Sequence, residues 1–302
     1  MFAFVIRRAA FAILLVFFAA SAAFFAVHLS PGDHFTEFGP GGVRRAHAER
    51  VAAGFDRPVV VQYWSWLSHA VRLDLGTSLK FQRPVRELVV PRTRNTLLLK
   101  ISSLTVATLV GIPLGVVTAM RDRGLLRSLI RASSSAVLAL PPLVVALGLT
   151  AVAARSGWLP PAGLSFSNMV VPALALALPI AALLERMHSQ AVRHTLAEPW
   201  LQAAIARGIS RRLVTWKHAM RGALGTTLGV YGVLAGGLLS GSFAVELIAD
   251  WPGLALLMAE AVRARDPFLV CGCAAAAAMV LAGVILVTDL LHFWADPRVA
   301  RP

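Results

Sequence analysis

Acidic side chains stand at the ends of three long stretches that contain no other charge: Glu185, Glu246 and Asp289. A carboxylate inside hydrocarbon is costly, and where one occurs it often marks an ion or substrate path. Two interpretations stay open for each acid: it lies at the membrane interface, or it contacts a pathway or gate. Lys100, beside another uncharged stretch, has the same two interpretations.

Residue spacings typical of catalysis or metal binding are missing from this sequence. It contains no Gly-x-x-x-x-Gly-Lys-Ser/Thr motif, so we do not expect it to bind ATP through a phosphate loop. The eight histidines never occur as His-x-x-x-His, and Cys271 and Cys273 lie in an alanine-rich stretch that suits packing. We therefore predict a chain that is not an enzyme and that binds no metal or cofactor.

The composition indicates an integral membrane protein. Hydrophobic residues make up 57% of the 302 residues, charged residues only 15%, and mean hydropathy is +0.71. Soluble domains average roughly 45–50% apolar and about 25% charged residues. These values exclude an ordinary soluble enzyme and a disordered chain. The two cysteines exclude a disulfide scaffold.

Six uncharged stretches reach the length of about 20 residues that a helix needs to cross roughly 30 Å of hydrocarbon. Backbone amides in hydrocarbon must be satisfied within the segment, so each stretch is predicted to be a helix, bent rather than broken by its prolines. We predict one all-α membrane domain over residues 1–302, with a long segment at 28–100 and a loop at 185–221 between spans. The predicted spans are residues 9–27, 101–120, 132–154, 168–184, 222–245 and 267–288.

The positive charges predict the orientation. If the N-terminus is cytoplasmic, 15 of the 29 Lys and Arg residues fall on the cytoplasmic side and three in short outer loops. The other 11 lie in the 28–100 segment, which is too long to count strongly. Both termini and the 185–221 loop are then cytoplasmic. This asymmetry accounts for the net charge of +14 without nucleic acid, for which no motif is present.

The 185–221 loop predicts two short helices that meet at a glycine. Glu198 and Pro199 suit a helix start, Gly208 a left-handed stop, and Ser210 the cap of a second helix. That helix is predicted at Arg211–Ala219. We call residues 198–219 the elbow. From these residues alone, the elbow either lies on lipid headgroups or docks on a cytoplasmic partner.

The fifth stretch places small residues on one helical stripe, at Gly222, Gly225, Gly229, Gly232 and Gly236. Small residues let helix backbones approach closely, so packing alone explains the stripe. A sliding face beside a pathway is the other interpretation. Our candidates for a pathway or gate combine part of this stripe with the end of the stretch: Gly229, Gly232, Gly236, Glu246, Asp250 and Trp251.

Several motifs occur in a characteristic order and spacing along the sequence. They are Leu29-Ser30-Pro31-Gly32-Asp33, Asp74-Leu75-Gly76-Thr77-Ser78, Gly111-Ile112-Pro113-Leu114-Gly115, Trp251-Pro252-Gly253-Leu254 and Asp296-Pro297-Arg298. With these motifs the sequence resembles the B-type permease subunits of dipeptide and oligopeptide ABC importers, a family that also serves nickel uptake. The resemblance covers nearly the whole chain.

The resemblance implies a role for the elbow. Residues 202–208 resemble the family's Glu-Ala-Ala-x-x-x-Gly motif, which contacts the ATPase subunit, with Gln in place of Glu at the first position. The coupling residues implied are Glu198, Gln202, Ala203, Ala204, Arg207, Gly208 and Ser210. The resemblance also implies a type I importer permease fold, a second homologous permease chain, two cytoplasmic ATPase domains that bind ATP and Mg²⁺, and an extracytoplasmic solute-binding protein.

We therefore expect a permease subunit in the bacterial cytoplasmic membrane, surrounded by lipid, that imports di- or oligopeptides by alternating access. Nickel or another small solute is the alternative cargo. A self-standing channel or secondary transporter is the rival class, but it would be expected to show an inverted repeat, and we find none. An exporter or a membrane scaffold is the remaining alternative.

Overall fold

A computed structural model describes residues 2–29, 50–51, 54–121, 123–157 and 166–295. Two compact units emerge from their packing: unit 1 comprises Met1–Thr96 and Pro252–Ala282, and unit 2 comprises Leu97–Trp251 and Gly283–Pro302. The prediction of a single membrane domain stays a prediction. Residues 30–33 and 296–298 of the quoted motifs lie outside the described residues.

Helices account for most of the described backbone. A short helical turn at Arg211–Leu213 and a π-helical turn at Val214–Ala219 lead directly into the eighth α-helix. In chain order the α-helices are α1 (Phe2–Leu29), α2 (Val59–Ala70), α3 (Val85–Met120), α4 (Leu125–Ala139), α5 (Pro142–Ser156), α6 (Phe166–Leu196), α7 (Pro199–Ala206), α8 (Met220–Ile248), α9 (Leu254–Arg263) and α10 (Pro267–Ala295).

Unit 1 packs α1 and α2 with the first part of α3, α9 and most of α10. One apolar cluster joins Val85 and Val89 of α3 to Leu257 of α9 and Leu269 of α10. The start of α10 is held by Asp266, whose Oδ2 accepts a 2.6 Å hydrogen bond from Ser78 Oγ and whose Oδ1 accepts from the Leu269 amide. Helix α10 thus begins at a buried acid that caps its first turn.

Unit 2 packs the rest of α3 closely against α6, with α5 and α8 alongside. Gly111 and Gly115 of α3 make this approach possible. A Cβ at Gly111 would lie 2.6 Å from the Ala181 carbonyl oxygen, and one at Gly115 would lie 2.9 Å from the Glu185 carbonyl oxygen. The motif that carried part of the resemblance is therefore the contact surface between two long helices.

The structure contains between four and six candidate spans, and the predicted six is reached if each bent helix pair counts as one. Four single helices are long and apolar enough to cross a membrane, within α1, α3, α6 and α10. Two bent pairs pass the same test together: α4 with α5, bent by 103°, and Arg211–Leu238 with Gly241–Ile248, bent by 47°.

Several helices extend beyond the predicted spans, whose positions in the membrane stay predictions. Helix α3 starts 16 residues before the predicted span 101–120, and α6 continues 12 residues beyond residue 184 into the predicted 185–221 loop. The third span, predicted at 132–154, is broken instead of bent. Leu140 is extended, and α5 restarts with Pro142 at its first position. Two consecutive prolines remove two helical amides and force this break.

Candidate functional site

The first arm of the elbow is α7, built as its sequence predicts. Pro199 occupies the first helical position after Glu198, whose backbone is extended, although the Glu198 side chain makes no capping hydrogen bond. Leu201 is fully buried against Val192, Leu196 and Val214. This buried side chain fixes the orientation of α7 on the end of α6.

The side chain of Gln202 makes a hydrogen bond that the sequence did not indicate. Its Nε2 donates a 2.7 Å hydrogen bond to the carbonyl oxygen of Leu196, the last residue of α6. Carbonyls in the last turn of a helix lack partners within that helix. The amide that replaces the Glu of the family motif therefore joins the elbow to the preceding span.

The corner of the elbow is confirmed at Gly208, where φ is +89°. The Gly208 amide donates a 2.9 Å hydrogen bond to the Ile205 carbonyl oxygen, and the Ile209 amide donates one of 3.3 Å to the Ala204 carbonyl oxygen. These two hydrogen bonds terminate α7. Ser210 then caps the next turn by accepting from the Leu213 amide at 3.4 Å. The prediction of a separate helix at 211–219 is wrong, because the chain continues through the π-helical turn into α8 without a break.

The exposed face of the elbow combines an aromatic, a small apolar and a positively charged side chain. Trp200, Ala203 and Arg207 are exposed, whereas Ala204 and Ile205 pack on the apolar cluster around Leu201. Trp200 is 55% exposed and meets the His218 ring edge-on, with the ring centroids 6.3 Å apart. An exposed tryptophan beside an arginine is suited to protein contact.

Glu185 is buried inside the helix packing, and only 2% of it is exposed. Its Oε1 accepts a 2.6 Å hydrogen bond from Thr118 Oγ1 of α3, and that hydroxyl also lies 3.0 Å from Ser189 Oγ. Glu185 therefore contacts neighbouring helices and is not open to solvent. Nearby, His188 Nδ1 lies 2.7 Å from Thr227 Oγ1 of α8. We call these five residues the buried polar cluster.

This cluster was only partly predictable from the sequence. Glu185 was singled out as an acid at the end of an uncharged stretch. Thr118 and Thr227 lie in apolar stretches and carry no sequence signal of their own. Only the contact of α3 and α8 with α6 brings them to Glu185 and His188.

The predicted pathway residues have different surroundings, and their role stays a prediction. A Cβ at Gly232 would meet Thr288 of α10 at 3.5 Å, while one at Gly236 would meet nothing within 4 Å, and Gly229 is partly buried. Glu246 is fully buried and acts electrostatically on Lys100. Trp251 is buried with Leu99, and Asp250 is exposed at a left-handed φ of +48°.

Comparison with known proteins decides the family. Residues 111–301 match the family described as binding-protein-dependent transport system inner membrane component. The chain belongs to this family.

It is 30% identical to the oligopeptide transport system permease protein AppB of Bacillus subtilis, with 99% of both chains covered. It is 32% identical to a putative peptide permease protein of Brucella ovis, with 91% of this chain and 92% of the relative covered. It is also 32% identical to the glutathione transport system permease protein GsiC of Escherichia coli O6:H1, with 87% of each covered.

The chain is thus a transmembrane permease subunit of an ABC importer with the type I fold, an inner-membrane protein that works with ATPase and substrate-binding partners. Within the described residues of this permease, no group of three or more His, Cys, Asp or Glu side chains is placed to hold a metal ion.

Proposed function

We propose that this permease imports di- or oligopeptides. The proposal rests on the relatives: AppB is named for oligopeptide transport and GsiC for glutathione transport, and glutathione is itself a tripeptide. We propose further that the chain pairs with a second, homologous permease, and that the path forms between them. The stripe of Gly229, Gly232 and Gly236, with Glu246, Asp250 and Trp251, is our candidate for path or gate residues.

The observation that carries the transport mechanism is the elbow. Leu201 is buried on its inner side, Gln202 is hydrogen-bonded to the end of α6, and Trp200, Ala203 and Arg207 are exposed. We propose that Glu198, Gln202, Ala203, Ala204, Arg207, Gly208 and Ser210 form the contact with one of two cytoplasmic ATPase domains. The loop and both termini are then cytoplasmic, and a solute-binding protein docks on the opposite side.

In this mechanism the permease alternates between inward-open and outward-open states. ATP and Mg²⁺ bind to the partner ATPases; this chain holds no cofactor and catalyses no reaction. Closure of the ATPase dimer draws two elbows together and favours the outward-open state, and hydrolysis ends that bias. A partner shifts an equilibrium only through its different affinities for the two states, and about 5.5 kcal/mol moves a ratio of 1:99 to 99:1.

Purification in mild detergent with mass spectrometry of the associated proteins tests the assembly. We expect an ATPase and a second permease to accompany the tagged chain. Recovery of the intact chain alone, in a detergent that preserves comparable complexes, would favour a self-standing channel or secondary transporter.

Uptake measurements test the cargo. We expect cells that lack the chain to lose uptake of labelled di- and tripeptides and to regain it on complementation. Unchanged peptide uptake together with lost uptake of radioactive nickel would reassign the cargo to the metal ion.

A further inference from the structure

Helix α4 of unit 2 separates its apolar side chains from its polar ones. Leu125, Leu129, Ala132 and Ala136 follow each other at intervals of four, three and four residues, so they form one stripe along the helix, which we call the α4 stripe. All four residues are exposed, Leu125 by 77% and Leu129 by 56%. An exposed apolar stripe on one side of a helix is typical of helices that lie on the surface of a bilayer.

The other side of α4 is polar and contacts protein. Ser134 is buried, and Ser135 Oγ accepts a 2.9 Å hydrogen bond from Arg186 Nη2 of α6. Arg131 is exposed and lies about 200° around the helix from Leu129, because each residue of an α-helix turns by about 100°. Helix α4 is thus bonded to α6 through polar groups, while the α4 stripe stays exposed.

Helix α5 has a different pattern, which suits hydrocarbon. The sequence contains no charged residue from residue 132 to residue 154. The exposed apolar side chains Leu143, Val144 and Val152 extend over about half of the circumference of α5. On the remaining side, Ala146 is buried in an apolar cluster with residues of α6. Either lipid or protein can therefore cover α5 on every side.

The length of α5 also fits a crossing of the membrane without α4. A helix of 15 residues reaches about 22 Å. The extended residues Leu140 and Pro141, which precede it, add about 7 Å. Together they approach the roughly 30 Å of the hydrocarbon core.

The bend between the two helices orients α4. Helices α4 and α5 meet at 103°, so a crossing by α5 along the membrane normal places α4 close to the membrane plane. Both ends of α4 are also tied to one boundary of the membrane. It begins shortly after α3 ends at Met120, and Ser135 near its other end is bonded to Arg186, the first basic residue after the uncharged stretch of α6. Basic residues of this kind mark the cytoplasmic boundary.

The charges around α4 are almost all positive. Asp122 is the one acid of the sequence from residue 121 to residue 184. Four arginines precede α4 or belong to it, and all but the third are exposed: Arg121, Arg123, Arg127 and Arg131. The cytoplasmic leaflet contains anionic phospholipids, which attract basic side chains next to an apolar helix face.

We propose that α4 lies in the plane of the membrane and binds anionic phospholipids of the cytoplasmic leaflet. The α4 stripe enters the acyl-chain region, and Arg121, Arg123 and Arg131 bind the phosphates. Helix α5 alone then crosses the hydrocarbon. The proposal rests on the orientation predicted from the positive charges and is independent of the imported solute.

The depth of the α4 stripe tests the orientation of the helix. Spin labels are attached one at a time to the full-length chain, which is purified with its accompanying proteins and reconstituted in bilayers. The labelled variants are Leu125→Cys, Leu129→Cys, Ala132→Cys and Ala136→Cys. Power saturation with oxygen and with a nickel chelate measures the depth of each label.

We expect the four depths to agree within about 5 Å, whereas the first and last would differ by about 16 Å if α4 followed the membrane normal. A steady increase in depth from Leu125→Cys to Ala136→Cys overturns the proposal. The expected profile is the same in either leaflet, so an error in the predicted orientation of the chain would not change it.

The preference of α4 for anionic lipid tests the binding. A bimane label at Leu129→Cys is quenched by doxyl-labelled lipids that touch it. The probes, at equal mole fractions, are doxyl-labelled phosphatidylglycerol, which is anionic, and doxyl-labelled phosphatidylcholine, which has no net charge. We expect phosphatidylglycerol to quench at least twofold more strongly. The triple variant Arg121→Gln, Arg123→Gln and Arg131→Gln should remove this difference.

Matched controls use other exposed positions of the chain. A bimane label at Val152→Cys of α5 should be quenched equally by the two lipids. The triple variant Arg83→Gln, Arg86→Gln and Arg94→Gln removes three exposed charges before and along α3, and it should leave the preference at Leu129→Cys intact.

Two results with the lipid probes overturn the proposal. One is equal quenching by both lipids at Leu129→Cys, and the other is a preference that survives the three substitutions near α4. Protection of the label from both lipids would overturn the lipid assignment in favour of a protein partner that covers the α4 stripe.

Discussion

At the scale of single residues, Thr118 links α3 to α6. Its hydroxyl donates to Glu185 Oε1 at 2.6 Å, and Arg193 of α6 donates to the Thr118 carbonyl oxygen at 2.6 Å. Both ends of the same residue are thus tied to the helix that leads into the elbow. A buried hydrogen bond of this kind stabilises the fold, and it also transmits any displacement of α6 to α3.

We predict that Glu185→Ala lowers the free energy of unfolding by about 1–3 kcal/mol, the usual cost of losing one partner of a buried polar contact. Glu185→Gln keeps an acceptor for Thr118 and should cost less than half as much. Reversible unfolding in mixed micelles measures both values.

A double-mutant cycle with Thr118→Val isolates the hydrogen bond from the cavity left by Ala. We expect the two single effects to sum to more than the effect of the double variant. Strict additivity would mean that Thr118 and Glu185 do not interact.

At the scale of elements, the sequence predicted the elbow well because its rules are local. A proline at the first helical position, a glycine in the left-handed region and a serine cap depend only on neighbouring residues. The ends of the long helices were predicted poorly for the opposite reason. Charged residues mark where hydrocarbon ends, but a helix continues past them wherever packing supports it, as α3 does from Val85 to Lys100.

Gly208 allows a test of the elbow. A β-branched side chain in the left-handed conformation costs about 1–2 kcal/mol, whereas Asn tolerates it. A Cβ at Gly208 would meet nothing within 4 Å, so the cost lies in the backbone alone. We predict that Gly208→Val reduces solute uptake at least tenfold while the protein is still expressed and folded in the membrane, and that Gly208→Asn retains most uptake. Normal uptake by a stable Gly208→Val protein would contradict ATPase docking at the elbow.

Contact between α3 and α6 allows a second test at this scale. Gly111→Ala places a methyl group 2.6 Å from a backbone carbonyl oxygen and 2.8 Å from Leu184 Cβ, and neither can rotate away. We predict a loss of about 1–3 kcal/mol in the free energy of unfolding, as in other overpacked cores.

Gly148→Ala in α5 is the matched control, since a Cβ there meets nothing within 4 Å. It should be neutral or stabilising by up to about 1 kcal/mol through helix propensity. Equal effects of the two substitutions would show that α3 and α6 are not in close contact.

For the whole molecule, the bent pair α4–α5 determines the membrane topology. The sequence predicted this region as one span because its composition is apolar throughout, and composition is insensitive to a break at Pro141 and Pro142. A 103° bend fits either a broken span that crosses the membrane or a re-entrant loop that returns to the same side. The two arrangements differ in the side on which everything after residue 156 lies.

Two exposed positions distinguish these topologies. Thr77 lies between the first and second predicted spans, and Ile209 lies after the fourth. Three crossings separate them if the α4–α5 pair crosses the membrane, and two if it returns.

The natural cysteines, Cys271 and Cys273, are fully buried and should give little background in a cysteine-labelling experiment. We predict that a membrane-impermeant maleimide labels Thr77→Cys in intact cells and Ile209→Cys only after permeabilisation, as the positive charges around the elbow require. Labelling of both positions from the same side would establish α4–α5 as a re-entrant loop. The elbow and the segment before α3 would then lie on one face of the membrane. If that segment faces outward, the elbow could not reach a cytoplasmic ATPase.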